Sequence, residues 1–178
     1  FALFMEQGTG KTKTTIDILE NLYLAGKIRQ VMIIAPNGVH RQWGKDYTSE
    51  QDKGEIVAHG FAPSTRFVWH SSKKNAKLLD NWMRQDPDKL HYLCVNVEAF
   101  SLTTYLHLFK HYLQIAPTFI VVDEATTIKN PDAARTDNII HGLSACQYIG
   151  KRLRDYDPYS VGRCILPGTP EAKGPYGL

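Results

Sequence analysis

Short apolar runs alternate with segments of helical period along this chain, and this alternation limits the folds open to it. Six runs are typical of strands: residues 1–5, 31–35, 66–69, 92–95, 119–122 and 164–166. Between them, apolar side chains recur at three- and four-residue spacing, which indicates one buried face of a helix. Strands separated by helices favour a parallel sheet covered on both faces. We therefore predict an α/β fold of three layers with a mainly parallel central sheet.

The helical spacings place five helices between or after these strands. The first follows the first strand and is expected to end at Gly26 in the left-handed conformation. The second is predicted behind Asn37 as its cap, and the fifth opens at Asn130 with Pro131 in its first turn. The expected buried faces are Ile16, Leu19, Leu22 and Tyr23; Val39, Trp43 and Tyr47; Ala76, Leu79, Trp82 and Met83; Leu102, Tyr105, Leu106, Phe109, Tyr112 and Leu113; and Ile139, Ile140 and Leu143. Residues 151–162 have no period, so we predict a surface connection there.

Length and composition favour one domain over residues 1–178, because 178 residues with 43% hydrophobic side chains can bury a core. The net charge of +3 is too small to indicate a nucleic-acid partner by itself. No apolar run approaches the about 20 residues that cross a bilayer, so we expect no membrane segment. A strand-like run opens the chain without a lead-in, and residues 172–178 close it without a final element, so we expect a fragment.

The cysteines give an expectation about the compartment. Cys94, Cys146 and Cys164 are odd in number and far apart, which matches neither a disulfide framework nor a structural zinc site. We therefore predict a reducing, cytoplasmic location. For a viral protein this would be the host cytoplasm, and for a eukaryotic protein the nucleus.

A glycine-rich turn directly follows the first predicted strand. Gly8 and Gly10 allow backbone turns that side chains would block, so successive amide groups can point at phosphate oxygens. The following helix adds its positive dipole end. Lys11 supplies a cation for the β- and γ-phosphates, and the Thr12 hydroxyl can ligate Mg²⁺. We predict that ATP is bound by Gln7, Gly8, Thr9, Gly10, Lys11 and Thr12, although a glycine turn without a ligand is the alternative interpretation.

An acidic pair ends the apolar run 119–122. In a parallel sheet, ligands gather beyond the carboxyl ends of the strands, where the glycine-rich turn is also expected. Asp123 is predicted to hold Mg²⁺ through water, and Glu124 to orient and deprotonate the attacking water. Lys11, Asp123 and Glu124 are thus the predicted catalytic residues, with Thr12 and Asp123 for the metal. A solvated acidic turn is the simpler alternative.

Five segments together resemble superfamily 2 helicases and translocases of the Swi/Snf-like branch. Residues 8–12 are similar to motif I of that family, and Ala35-Pro36 followed by Gln42-Trp43 resembles motif Ia. Residues 95–98 loosely match motif Ib, 123–130 resemble motif II, and 166–170 resemble motif III. The resemblance implies a RecA-like P-loop fold, use of ATP and Mg²⁺, and movement on nucleic acid, with double-stranded DNA expected.

The same resemblance has departures that bear on function. Thr126 stands where the family usually has His, Thr127 replaces a basic residue, and Pro167 replaces a Thr. Gly168, Thr169 and Pro170 correspond to the motif that couples nucleotide state to the nucleic-acid track in the family. Motifs IV to VI belong to a second RecA-like lobe that this chain lacks, so the resemblance implies weak or absent hydrolysis by this lobe alone.

By resemblance, the nucleic-acid backbone contacts are Asn37, His40, Arg41 and Asn96, while simple capping of helix starts is the alternative for these polar residues. His107 and His111 have a zinc-compatible spacing, but Leu108 stands where a metalloprotease helix needs Glu, so we predict an exposed polar face. Trp69, Trp82 and Tyr92 are predicted to be core residues. A P-loop kinase or metabolic ATPase on a small substrate, and a non-catalytic interaction module, remain alternative functions.

Overall fold

The computed structural model describes residues 9–45, 53–101, 103–124, 134–139, 143 and 160–166. Its strands are Gln30–Ala35 (β1), Ser64–Val68 (β2), Leu90–Asn96 (β3), Thr118–Asp123 (β4) and Ser160–Leu166 (β5). They form one sheet in the order β2-β3-β1-β4-β5, and every neighbouring pair is parallel. The predicted parallel sheet is confirmed. The first predicted strand, residues 1–5, lies outside the described residues.

Helices connect these strands as the alternation predicts. The α-helices are Lys11–Leu24 (α1), Val39–Gly44 (α2), Glu55–His59 (α3), Lys73–Trp82 (α4), Leu106–Ile115 (α5) and Ala134–Asp137 (α6). Two 3₁₀ helices, Val97–Ser101 and Thr103–Tyr105, follow β3. The five-residue α3 was not predicted, because one turn is too short to show a helical period. Tyr47, Leu102, Asn130, Pro131 and Ile140 lie outside the described residues.

Two apolar clusters cover the two faces of the sheet, because successive strand residues point to opposite sides. On β1, Met32 and Ile34 face one cluster, whereas Val31 and Ile33 face the other. The first cluster includes Leu79, Trp82, Phe109, Tyr112 and Leu113 of α4 and α5, and the second includes Ile16, Leu19, Trp43 and Ile56 of α1, α2 and α3. The fold is therefore a three-layer α/β/α sandwich, as predicted.

The end of α1 confirms the role predicted for Gly26. This residue adopts φ 68°, and its amide donates to the carbonyl of Tyr23. The next amide, from Lys27, donates to the carbonyl of Leu22. This pair of hydrogen bonds is the Schellman arrangement, which favours glycine at the left-handed position. The chain then turns directly into β1.

Two local predictions are wrong. Asn37 does not cap α2, since Gly38 is the N-cap residue, with φ 92°, and contributes no side-chain hydrogen bond. The positive φ needs glycine, and this requirement overrides the capping preference of Asn. The predicted surface connection 151–162 overlaps β5, which begins at Ser160. Pairing with β4 draws these residues into the sheet, where a Cβ on Gly162 would lie 2.7 Å from the ring of Phe119.

Candidate nucleotide site

The candidate site lies at the carboxyl ends of the central strands. In the parallel register, Ala35 at the end of β1 is level with Asn96 of β3, and Ile34 is level with Val122 of β4. Asp123 follows directly and pairs with Leu166 at the end of β5. Side chains that follow these strands are thus delivered to one edge, which is the edge where α/β sheets bind ligands.

The start of α1 has the conformation that a phosphate loop requires. Gly10 is the N-cap residue and adopts φ 88°, a left-handed value that side chains disfavour. No side chain caps this helix start within the described residues. Lys11 and Thr12 are half-buried in the first turn, while Thr9 is exposed. A helix start brings backbone amide groups together with the positive end of the helix dipole, which suits an anion.

Asp123 is held by two hydrogen-bond donors, one on each carboxylate oxygen. The indole Nε1 of Trp43 donates to Oδ2 at 2.8 Å. The backbone amide of Glu124 donates to Oδ1 at 2.9 Å. These two contacts fix the plane of the carboxylate and leave each oxygen a second lone pair. The sequence pattern did not reveal the contact with Trp43, although Trp43 belongs to the Gln-Trp segment of motif Ia.

The pKa of Asp123 is raised, and four influences contribute to its value. Burial raises the pKa above its ordinary value, because it disfavours the charged form. The hydrogen bonds from Trp43 and from the Glu124 amide oppose this shift, and so does the positive charge of Lys11. Lys11 and Asp123 are therefore near enough to interact electrostatically. The structure brings the start of α1 and the end of β4 to the same region.

Glu124 is exposed at the first position after β4 and has φ 49°. This left-handed backbone conformation is uncommon for residues other than glycine, Asn and Asp. Backbone strain of this kind is concentrated at functional sites. The turn aims the amide of Glu124 back at Asp123. Glu124 thereby projects from the same sheet edge as Asp123.

The donor set fits a magnesium ion bound together with nucleotide. No group of three or more His, Cys, Asp or Glu side chains that could hold a metal occurs among the described residues. Mg²⁺ is usually bound by one or two protein oxygens together with water and substrate phosphates. The carboxylate of Asp123, with a lone pair left on each oxygen, and the hydroxyl of Thr12 supply oxygens of that kind.

The predicted nucleic-acid residues differ in exposure. Asn37 and Arg41 are exposed near the start of α2. Asn96 is half-buried at the end of β3, where its amide donates to the carboxylate of Glu98 at 3.1 Å. His40 is buried with 1% exposure and packs its ring edge-on to His70. His40 therefore presents no side chain at the surface, which leaves Asn37, Arg41 and Asn96 as the accessible candidates.

Several predicted functional residues lie outside the described residues, namely Gln7, Gly8, Thr126, Thr127, Pro167, Gly168, Thr169 and Pro170. Their roles stay predictions. Among the described residues, Trp69, Trp82 and Tyr92 are buried, which confirms their placement in the core. His107 and His111 are exposed, as predicted. Cys94 and Cys164 are buried, and burial raises the pKa of Cys94 to about 12.

This combination of sheet, glycine-started helix and acidic strand end defines the class of RecA-like P-loop domains. The sequence profile of the SNF2-related domain matches residues 2–148, so the chain belongs to the SNF2-related domain family. It corresponds to the N-terminal RecA-like lobe of Swi/Snf-like helicases and translocases. The helicase-type resemblance seen in the sequence is confirmed.

Individual proteins are also similar to this chain. The zebrafish (Danio rerio) chromodomain-helicase-DNA-binding protein 8 is 26% identical over 141 residues, which cover 75% of this chain and 5% of that protein. The structure of a nuclease-deletion mutant of the Type ISP restriction-modification enzyme LlaGI, in complex with a DNA substrate mimic, superposes with a TM-score of 0.59. Sequence identity there is 16%, and the match covers 95% of this chain and 15% of LlaGI.

The Pyrococcus furiosus Hef helicase domain gives a TM-score of 0.45 at 15% identity, over 89% of this chain and 26% of that one. The chain thus spans a small part of each of these relatives. Within the part of the chain that the structure describes, no helix has the length and apolar character needed to cross a bilayer.

Proposed function

We propose that this chain is the ATP-binding lobe of a nucleic-acid-dependent ATPase that moves on double-stranded DNA. The observation that carries the proposal is the electrostatic proximity of Lys11 and Asp123, because an ATPase of this kind needs its phosphate-binding lysine and its metal carboxylate at one site. Membership of the SNF2-related family supports this function over a kinase or metabolic ATPase on a small substrate.

The chemistry would be divided among side chains of the candidate site. Gln7, Gly8, Thr9 and Gly10 cradle the phosphates of ATP, and Lys11 places its ammonium against the β- and γ-phosphates. Thr12 and Asp123 offer oxygens to Mg²⁺, which when bound neutralises charge on the phosphates. Glu124 orients a water molecule and accepts its proton as that water attacks the γ-phosphate.

The proposed partner surface lies beside this site. Arg41 and Asn37 are exposed near α2, and Asn96 lies at the end of β3, so backbone phosphates could be contacted at the same edge of the sheet. Such contacts are independent of base sequence and weaken as salt rises. Gly168, Thr169 and Pro170 are proposed to couple the nucleotide state to this surface.

A second RecA-like lobe in the full-length protein is proposed to complete the site. Arginine fingers stabilise charge that develops on the γ-phosphate, and such fingers accelerate hydrolysis by about 10³- to 10⁵-fold. We therefore expect the present chain to bind nucleotide weakly and to hydrolyse it slowly by itself. The opening and closing of two lobes would supply the movement on DNA.

Calorimetric titration with Mg²⁺-ATP tests the nucleotide site. Lys11→Ala should abolish measurable ATP binding, because the backbone amides of the loop cannot by themselves neutralise the negative charge of the triphosphate. Lys13→Ala is the matched control, since Lys13 is two residues further along α1 and pairs with Asp17 at 2.6 Å. Equal affinity of the Lys11→Ala and wild-type proteins would refute the phosphate-loop assignment.

A second experiment tests the nucleic-acid partner. ATP turnover by the full-length protein should rise when double-stranded DNA is added and should fall again with increasing salt. Arg41→Ala should weaken that stimulation, whereas the exposed Lys74→Ala on α4 should not. Turnover that ignores every nucleic acid would refute the proposed motor function.

A further inference from the structure

The hydrogen bond between Trp43 and Asp123 gives the chain a feature that the nucleotide site itself does not explain. Trp43 is 2% exposed, so its indole N–H needs an internal acceptor, and it finds one in Oδ2 of Asp123 at 2.8 Å. A buried tryptophan can pair with any carbonyl or hydroxyl oxygen. Here the acceptor is the carboxylate proposed to hold the metal.

The helix that carries Trp43 is fixed against the sheet. A Cβ on Gly44, the next residue, would lie 2.8 Å from Sγ of Cys94 and 2.9 Å from Cγ2 of Val68. At the C-terminal end of α2, a Cβ on Gly54 would lie 2.8 Å from the backbone nitrogen and oxygen of Lys45. Such close packing leaves the indole of Trp43 little freedom to shift, so its N–H is a fixed donor for the carboxylate.

We infer that Trp43 is a positioning residue, which orients the carboxylate of Asp123 so that its outward lone pairs receive the hydrated metal of the bound nucleotide. The inference rests on the proposed function and assigns a task to a residue outside the phosphate loop and the acidic pair. Partners of this kind typically change metal affinity by about 10- to 100-fold when they are removed.

The chain offers a matched control for this inference. Its sequence has three tryptophans, at positions 43, 69 and 82. Trp82 is also buried, and its Nε1 donates to Oγ1 of Thr65 at 3.0 Å, but it lies in the apolar cluster on the opposite face of the sheet. Replacing Trp82 by Phe therefore removes a comparable ring and hydrogen bond without touching Asp123.

Nuclear magnetic resonance of the ¹⁵N-labelled indole groups tests the contact without changing Trp43. Three indole peaks are expected, and Trp69→Phe and Trp82→Phe assign them. Asp123→Asn should move the peak of Trp43 and leave that of Trp82 in place. Addition of Mg²⁺ and ADP should also move the Trp43 peak, but not in Asp123→Asn. A Trp43 peak that stays unchanged in both experiments would overturn the inference.

Calorimetry with ADP then measures the consequence for the metal. Trp43→Phe should weaken binding by about 10-fold in the presence of Mg²⁺ and leave it unchanged in EDTA, because only the metal depends on the carboxylate. Trp82→Phe should change neither affinity. Equal losses with and without Mg²⁺ would indicate a structural role only and would refute the inference.

The outcomes also separate this inference from the proposed function. If Lys11→Ala binds Mg²⁺-ATP like the wild type, the nucleotide site itself is wrong. If Lys11→Ala loses binding while Trp43→Phe behaves like Trp82→Phe, the nucleotide site stands and the role of Trp43 falls.

Discussion

The ammonium group of Lys11 lies near enough to the carboxylate of Asp123 to lower its pKa, although 112 positions separate the two residues. Lys11 is on the first turn of α1, and Asp123 is the last residue of β4. Burial acts in the opposite direction and is the larger effect. The carboxylate is thus partly desolvated, and two hydrogen-bond donors and one cation stabilise its charged form. A divalent cation would offset the desolvation cost further.

Removal of the Lys11 charge should raise the pKa of Asp123. Lys11→Met keeps much of the side-chain volume, and loss of a nearby positive charge disfavours the ionised carboxylate. Titration of the carboxyl ¹³C resonance of Asp123 measures this change directly. Lys13→Met should leave the titration where it is, since Lys13 pairs with Asp17. An unshifted titration in Lys11→Met would show that the two groups are apart in solution.

Replacement of Glu124 by Gln should slow ATP turnover strongly and preserve nucleotide binding. Gln has the shape of Glu and can keep the left-handed backbone, but it cannot accept a proton from water. A loss of about 10²- to 10⁴-fold in ATP turnover by the full-length protein is expected, which is the usual contribution of a general base.

The control for this substitution is Glu55→Gln. Glu55 lies on the surface of α3, where its carboxylate contacts His59 at 3.3 Å, and it belongs to none of the proposed sites. Its replacement should leave turnover close to the wild-type rate. Wild-type turnover in Glu124→Gln would contradict the assignment of Glu124 as the base.

The substitution Gly44→Ala, which adds a Cβ methyl group, should destabilise the domain. Its Cβ would meet Cys94 and Val68 at less than 3 Å, so α2 must move away from the sheet. Overpacking of this kind costs about 1 to 3 kcal/mol, measured as the free energy of unfolding in urea. Gln42→Ala, on the exposed side of the same helix, should change that free energy by less than about 0.5 kcal/mol. Equal stabilities of the two variants would refute close packing at Gly44.

The stability of the domain should fall as the pH drops below about 6.5, and His40 should be one cause. Burial lowers the pKa of His40, with Arg41 and His70 acting in the same direction, while hydrogen bonds to the backbone of Pro36 and Trp69 oppose it. The unfolded chain then binds a proton at a higher pH than the folded chain does. One such group changes the free energy of unfolding by at most about 1.4 kcal/mol per pH unit.

His40→Phe isolates this contribution, because it keeps a buried ring that cannot titrate. The difference in unfolding free energy between wild type and variant should be constant above pH 7 and should shift against the wild type as the pH falls toward the folded-state pKa. Urea unfolding at several pH values measures it. A difference that does not depend on pH would show that the folded and unfolded chains protonate His40 alike.

Much of the fold could be predicted because its signals are local. The strands β1, β3 and β4 are buried on both faces, so each appears in the sequence as an unbroken apolar run. Gly26 could be placed because a helix end has a chemistry of its own. The early residues of β5 escaped prediction, since they form no apolar run of their own and join the sheet by pairing with Thr118 and Phe119 of β4.

Some features of the candidate site could likewise be predicted from local sequence, whereas others depend on tertiary contacts. By itself, the sequence determined which residues are candidates to bind phosphate and metal, because glycine, lysine and acidic side chains carry that chemistry wherever they stand. Only the tertiary structure decided that the indole of Trp43 holds Asp123, that Gly38 rather than Asn37 starts α2, and that His40 is buried. These features depend on how α2 packs against a sheet whose strands are far apart in the chain. A local sequence pattern contains no information about contacts between such distant residues.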